Sequence, residues 1–154
     1  MRLKGHMKIG LSCGVLAFSI TTNFIPEMSS QMLAAIILAV FIGNIGPDIS
    51  EFGIIEHRTY THYPPFYISI ILIFIFLLNY KHECVFDYSW PVILFSYCVG
   101  CTIHLICDIP YGGLPYIFPT RKVTILKIPL VGDLNYVLET SLVLFILYLS
   151  FIFY

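Results

Sequence analysis

The sequence predicts an all-α protein, a polytopic bundle of about five transmembrane helices. Three observations carry that prediction. Hydrophobic residues make up 58% of the chain and charged residues 11%, where a soluble domain carries about twice that charged share. Mean hydropathy is +0.89. The apolar residues also fall into five runs separated by short polar connections. With 154 residues, the chain forms one membrane-embedded helical domain, residues 1–154, without a separate soluble unit. A net charge of -1 leaves no basic stripe to neutralise phosphates, which argues against nucleic-acid binding.

The first run, Ile9 to Ile25, follows the basic residues Arg2, Lys4 and Lys8. It has no small-residue cleavage site before Pro26 and carries Ser19, Thr21, Thr22 and Asn23, so it reads as a retained helix and not a signal peptide. Gly10 and Gly14 have G-x-x-x-G spacing and share a helical face with His6, which would let a neighbouring backbone approach closely. The second run, Met28 to Ile45, is expected to stop at Gly46-Pro47, placing Asp48 just beyond the helix. The connection that follows concentrates Asp48, Glu51, Glu56, His57, Arg58, Thr61 and His62 in fifteen residues.

Pro64-Pro65 leads into the third run, Phe66 to Tyr80. Trp90 opens the fourth, as an interfacial aromatic does. That run holds Cys98, Cys101 and Cys107, three of five cysteines, read as small buried hydrophobes and not as a disulfide framework or redox pair. It ends in His104-x-x-x-Asp108, and Pro110, Gly112, Gly113 and Pro115 break the helix beyond. The fifth run is Tyr136 to Tyr154, with Glu139 near its start.

Five spans place seven of the eight basic residues on the N-terminal side and only Lys81 on the other. The positive-inside rule then puts the N-terminus in the cytoplasm and the protein in the cytoplasmic (inner) membrane. The same orientation gathers His6, Asp48, His57, His62, His104 and Asp108 at one membrane depth.

An unpaired acid within hydrocarbon costs several kcal/mol, and a bound cation removes that cost. Imidazole and carboxylate one helical turn apart suit zinc or a similar divalent ion. His6, Asp48, His62, His104 and Asp108 are therefore the candidate metal ligands, for one ion or for two if Asp108 bridges. The alternative is a set of interfacial polar residues reaching the headgroups. An open coordination position would bring the pKa of bound water towards neutrality and favour hydrolysis. Arg58 could anchor an anionic group such as a phosphate, or pair with Glu56 or anionic lipid. Glu51 or Glu56 is the candidate orienter or general base, and His57, with His6, a second-site ligand or proton carrier.

These residues resemble a known family, the LexA-regulated, membrane-bound metal-dependent hydrolases. The matching pieces are Gly5-His6, Gly46-Pro47-Asp48-Ile49, His57-Arg58-Thr59-Tyr60-Thr61-His62 and Gly100 through Asp108, followed by Gly113-Leu114-Pro115 and Phe118-Pro119. Ser50 stands where the family usually has a second acid, and Tyr111 where it usually has a threonine. More distantly, Asp48, His62 and the His104-x-x-x-Asp108 helix are similar to the zinc-dependent phospholipase C and P1 nuclease superfamily, which implies zinc and phosphoester hydrolysis.

The expectation is a membrane-bound metal-dependent hydrolase acting at the cytoplasmic face on a small-molecule or lipid-like phosphoester, with membrane lipid as its surroundings. Two readings stand beside it: a transporter or proton-relay protein, and a catalytically inactive structural or regulatory membrane protein.

Overall fold

The computed structural model describes residues 3–24, 27–51, 58–80, 89–109, 113–115, 121–124 and 132–152. They form five α-helices: α1 Leu3–Phe24, α2 Ser30–Ser50, α3 Pro64–Tyr80, α4 Ser89–Asp108 and α5 Gly132–Ile152. A single 3-10 turn, Tyr60–His62, precedes α3. No strand occurs among the described residues; Leu114 and Val123 make one isolated antiparallel bridge.

The termini follow local chemistry. Ser29 caps α2 by accepting from the Met32 N–H at 3.3 Å. Pro64 and Pro65 occupy the first turn of α3, where a missing N–H leaves no helical bond unmade.

α2 corrects one expectation. The helix runs through Gly46 and Pro47 to Ser50, so Asp48 belongs to its last turn and not to the connection beyond it. Proline removes the N–H that would bond to the Gly43 carbonyl, yet its fixed φ is helical. Pro47 is buried, and tertiary packing holds the last turn in place.

That packing is closest between α2 and α4. A Cβ on Gly43 would overlap the Tyr97 carbonyl, and one on Gly100 would overlap the Val40 carbonyl. Backbone therefore meets backbone at this crossing, as small residues permit. α1 packs along α2, with Gly10 against Asn44 and Gly14 against Ile37, the use expected of the G-x-x-x-G pair. α5 lies on α1, and α3 on α4. Cys98 and Cys101 are buried in a core cluster with Tyr67, Leu105 and Leu114, as simple hydrophobes.

Ser30–Ser50 and Trp90–Asp108 are long and apolar enough to cross a membrane, while Pro64–Leu77 and Glu139–Ile152 are shorter apolar stretches. Large apolar side chains point outward from α3 and α5, among them Leu72, Ile73, Phe76, Leu144, Phe145 and Phe151.

Candidate metal centre

Four segments, 102 positions apart at their extremes, deliver side chains to one buried point. α1 brings His6, the last turn of α2 brings Asp48, the 3-10 turn brings His62, and α4 brings His104 and Asp108. His6, His62, His104 and Asp108 are all buried. The Asp48 side chain keeps 18% exposure and that of Arg58 14%, so these two lie at the less enclosed edge of the cluster.

The hydrogen-bond partners fix which ring nitrogens carry hydrogens. His104 Nδ1 lies 2.7 Å from the Asn44 backbone oxygen, which only accepts. Nδ1 therefore donates, and a neutral His104 presents a lone pair at Nε2. His62 Nδ1 lies 3.0 Å from both Glu51 Oε1 and Thr61 Oγ1, and the Thr61 hydroxyl gives its hydrogen to Glu51, so a neutral His62 likewise donates from Nδ1 and presents Nε2. A carboxylate behind a histidine fixes the ring's tautomer and raises its basicity, as carboxylates do behind metal-ligating histidines.

The two Nε2 atoms sit 3.1 Å apart. Asp48 Oδ1 lies 3.4 Å from that of His62 and 3.6 Å from that of His104. Asp108 Oδ2 lies 3.7 Å from the first and 3.9 Å from the second. Lone pairs and carboxylate oxygens converging in a buried space repel one another unless a cation sits among them. Zinc bonds of 2.0–2.1 Å give a tetrahedron with edges of about 3.3–3.4 Å, close to these separations. Buried His/Asp groups here could hold a metal ion: His62, His104 and Asp108 form one such group, and His6, Asp48 and His104 another.

Both aspartates also turn an oxygen towards His6. Asp108 Oδ1 lies 3.2 Å from His6 Nε2, and Asp48 Oδ2 lies 4.0 Å from it. The His6 ring stacks on that of His104 with centroids 3.8 Å apart.

Arg58 has a backbone φ of 61°, in the left-handed region. Its Nη2 lies 2.9 Å from Asp108 Oδ2, so the charge partner it takes here is the aspartate at the end of α4. Glu51 Oε1 accepts from the Arg58 N–H at 3.0 Å and from the Thr61 hydroxyl at 2.6 Å, as well as from His62. Glu51 thus ties the turn that carries His62 to the end of α2. Ser50 is exposed, and its hydroxyl donates to the Pro47 carbonyl at 3.1 Å. His57 and Glu56 lie outside the described residues.

Asn44 is the contributor that sequence reasoning did not single out, and Thr61, named there without a role, donates to Glu51. Asn44 also donates from Nδ2 to the Gly100 carbonyl at 3.5 Å, which ties the His104 acceptor to the helix crossing. Its position one helical turn before Asp48 was a usable signal, since the two share a face.

Fold and site together define an all-helical protein with buried histidine and aspartate clusters able to hold a metal ion. Comparison with known protein families, curated proteins and solved structures finds no match.

Proposed function

We propose that this chain is a multi-pass protein of the cytoplasmic membrane that uses a divalent ion, zinc, to hydrolyse a phosphoester of a small-molecule or lipid-like substrate. One observation carries the reading: the Nε2 atoms of His62 and His104 are both freed of hydrogen by Nδ1 partners and meet at 3.1 Å beside Asp48 and Asp108. Zinc in such a site activates water for attack. The nitrogen and oxygen donor set suits zinc, and the buried carboxylates gain the counter-charge they need.

Arg58 is the candidate anchor for an anionic oxygen, because a guanidinium recognises phosphate through paired N–H groups and this one stands beside the donor set without being fully buried. His6 and Glu51 hold the rings and carboxylates in place. The membrane reading draws on two helices of spanning length and on the apolar faces of α3 and α5, which in water would form a patch rare on soluble monomers. The basic residues gathered on one side, and the resemblance to LexA-regulated membrane hydrolases, support the cytoplasmic orientation and the hydrolase class.

The test is metal analysis of the purified protein together with hydrolysis of a chromogenic phosphodiester and a chromogenic carboxylic ester. Stoichiometric zinc, phosphodiester cleavage and loss of both in His104→Ala are expected. A folded wild-type protein without metal, or cleavage that persists in His104→Ala, would overturn the proposal.

A further inference from the structure

We infer that a groove in the half of the bundle away from the donor cluster holds the hydrocarbon tail of the phosphoester, so that the substrate is a long-chain lipid and not a small soluble ester. The inference rests on the metal and membrane reading above and names the substrate class of that same site.

The groove has a volume of about 320 Å³. It is lined by α1 around Ala17, α2 at Ile36 and Val40, α3 at Phe74, and α4 from Val92 to Val99. Among the described residues no charged side chain lines it, and Thr21 and Ser96 supply its hydroxyls. The Ser96 hydroxyl is spent within its own helix, donating to the Val92 carbonyl at 2.8 Å. The rings of Phe74 and Phe95 stack with centroids 4.4 Å apart and join α3 to α4 along it. A lining of this kind offers nothing to a polar headgroup and suits hydrocarbon. Roughly ten groups the size of a water molecule or a methylene, at about 30 Å³ each, fill the space, which is the bulk of one chain and not of two.

Position decides whose chain it is. α1, α2 and α4 carry His6, Asp48 and His104 towards one end and line the groove farther along. At a rise of about 1.5 Å per residue, Val40 lies about 12 Å from Asp48 along α2, and Val99 about 8 Å from His104 along α4. The groove continues to Ile36 and Val92, each about 18 Å from the same donors. The close crossing at Gly43 and Gly100 falls between groove and donors, so their separation is fixed.

An extended chain advances about 1.1–1.2 Å per bond, since the three bonds of a residue span about 3.3–3.6 Å. A tail bonded to a phosphate at the donor cluster therefore enters the groove after about 7–10 bonds and reaches its far end after about 16. One leaflet of a hydrocarbon core about 30 Å thick is about 15 Å deep, so a membrane lipid has a tail of the required length. Such a tail passes from one apolar medium to another, and the groove then acts through close packing and through placing the phosphorus, not through burial as such.

Purified wild-type protein and Ala17→Phe in detergent are compared for zinc content, for hydrolysis of ethyl and hexadecyl para-nitrophenyl phosphodiesters, and for photolabelling by a hexadecyl phosphodiester with a diazirine at the chain end. In wild type the label is expected on the groove-lining parts of α1 and α4, and excess unlabelled hexadecyl ester should remove it. The KM of the hexadecyl ester is expected to lie at least about tenfold below that of the ethyl ester, the low end of what a single methylene is worth in an apolar pocket. Ala17→Phe, which puts a ring into the groove, should keep zinc and ethyl-ester hydrolysis while the two KM values converge and the groove label disappears. Equal KM values for the two esters in wild type, or label confined to outward residues such as Phe76 and Phe145, would overturn the inference and leave the hydrolase reading standing. Wild-type labelling decides the matter even where the added ring unfolds the bundle. Wild-type protein that holds no zinc and cleaves neither ester would overturn the inference together with the reading beneath it.

Discussion

The Nε2 atoms of His62 and His104 face each other at 3.1 Å although 42 positions separate the two residues. One comes from a 3-10 turn and the other from a helix, and each has its opposite nitrogen occupied. Neither ring can be replaced by a shape mimic. His62→Ala and His104→Ala are expected to drop zinc from stoichiometric to background, read by elemental analysis after gel filtration.

Glu51 acts through His62. Removing its charge with Glu51→Gln leaves the ring less well oriented and less basic, and zinc affinity is expected to fall by about 10–100-fold, the usual effect of losing such a partner. Competition with a chromophoric chelator measures this. Ser50 is exposed and bonds to its own helix end, so Ser50→Ala should leave the affinity within about twofold, as surface changes away from a site do. A large effect of Ser50→Ala with none from Glu51→Gln would reverse the assignment of the two neighbours.

The crossing of α2 and α4 sets the spacing of the donors. A methyl group on Gly43 or Gly100 would meet backbone atoms, which cannot move aside as a side chain tip can. Gly43→Ala and Gly100→Ala are each expected to destabilise the fold by about 1–3 kcal/mol, the range for overpacking. Thermal unfolding in detergent reads the loss, and zinc content should fall with it because Asn44, Asp48, His104 and Asp108 ride on the two helices.

Arg58 should act on substrate binding more than on metal content. Arg58→Ala removes charge-assisted hydrogen bonds worth about 1.5–3 kcal/mol, equivalent to roughly 10–150-fold. The KM for an anionic phosphodiester is expected to rise within that range, with zinc retained. Arg58→Lys should recover only part of it, since a point charge lacks the planar fork. Equal KM values in Arg58→Ala and wild type would leave Asp108 as the only role for this residue.

Chelation gives a further test of the centre. A metal that binds the folded state adds stability by mass action. Prolonged dialysis against EDTA is expected to lower the unfolding temperature, and equimolar zinc to restore it.

Much of this was legible in the chain, and the misses have physical causes. His104 and Asp108 share a face because four residues make about one helical turn, and the structure keeps both on the buried side. Gly10 and Gly14 showed where α1 would meet a neighbour. The end of α2 was misjudged because proline is a strong local stop signal that the packing of Pro47 against the bundle overrides. Asn44 escaped notice because its main contribution is a backbone carbonyl, which every residue has, made special only by the ring of His104 lying against it. The gathering of imidazoles at one end followed from span counting, but which nitrogen of each ring faces inward depends on Glu51 and Asn44, and no spacing rule carries that information.

The 102-residue separation of His6 and Asp108 also bears on biogenesis. A ribosome that has released α1 to α3 has already produced His6, Asp48 and His62, but the helix that completes their surroundings is still inside the tunnel or just leaving it. Until α4 docks, the Asp48 carboxylate has only His6 and His62 beside it, and the His104 ring that stands 3.6 Å from it in the folded protein is still missing. The donor set is thus whole only once the fourth helix has been made and has packed on the second.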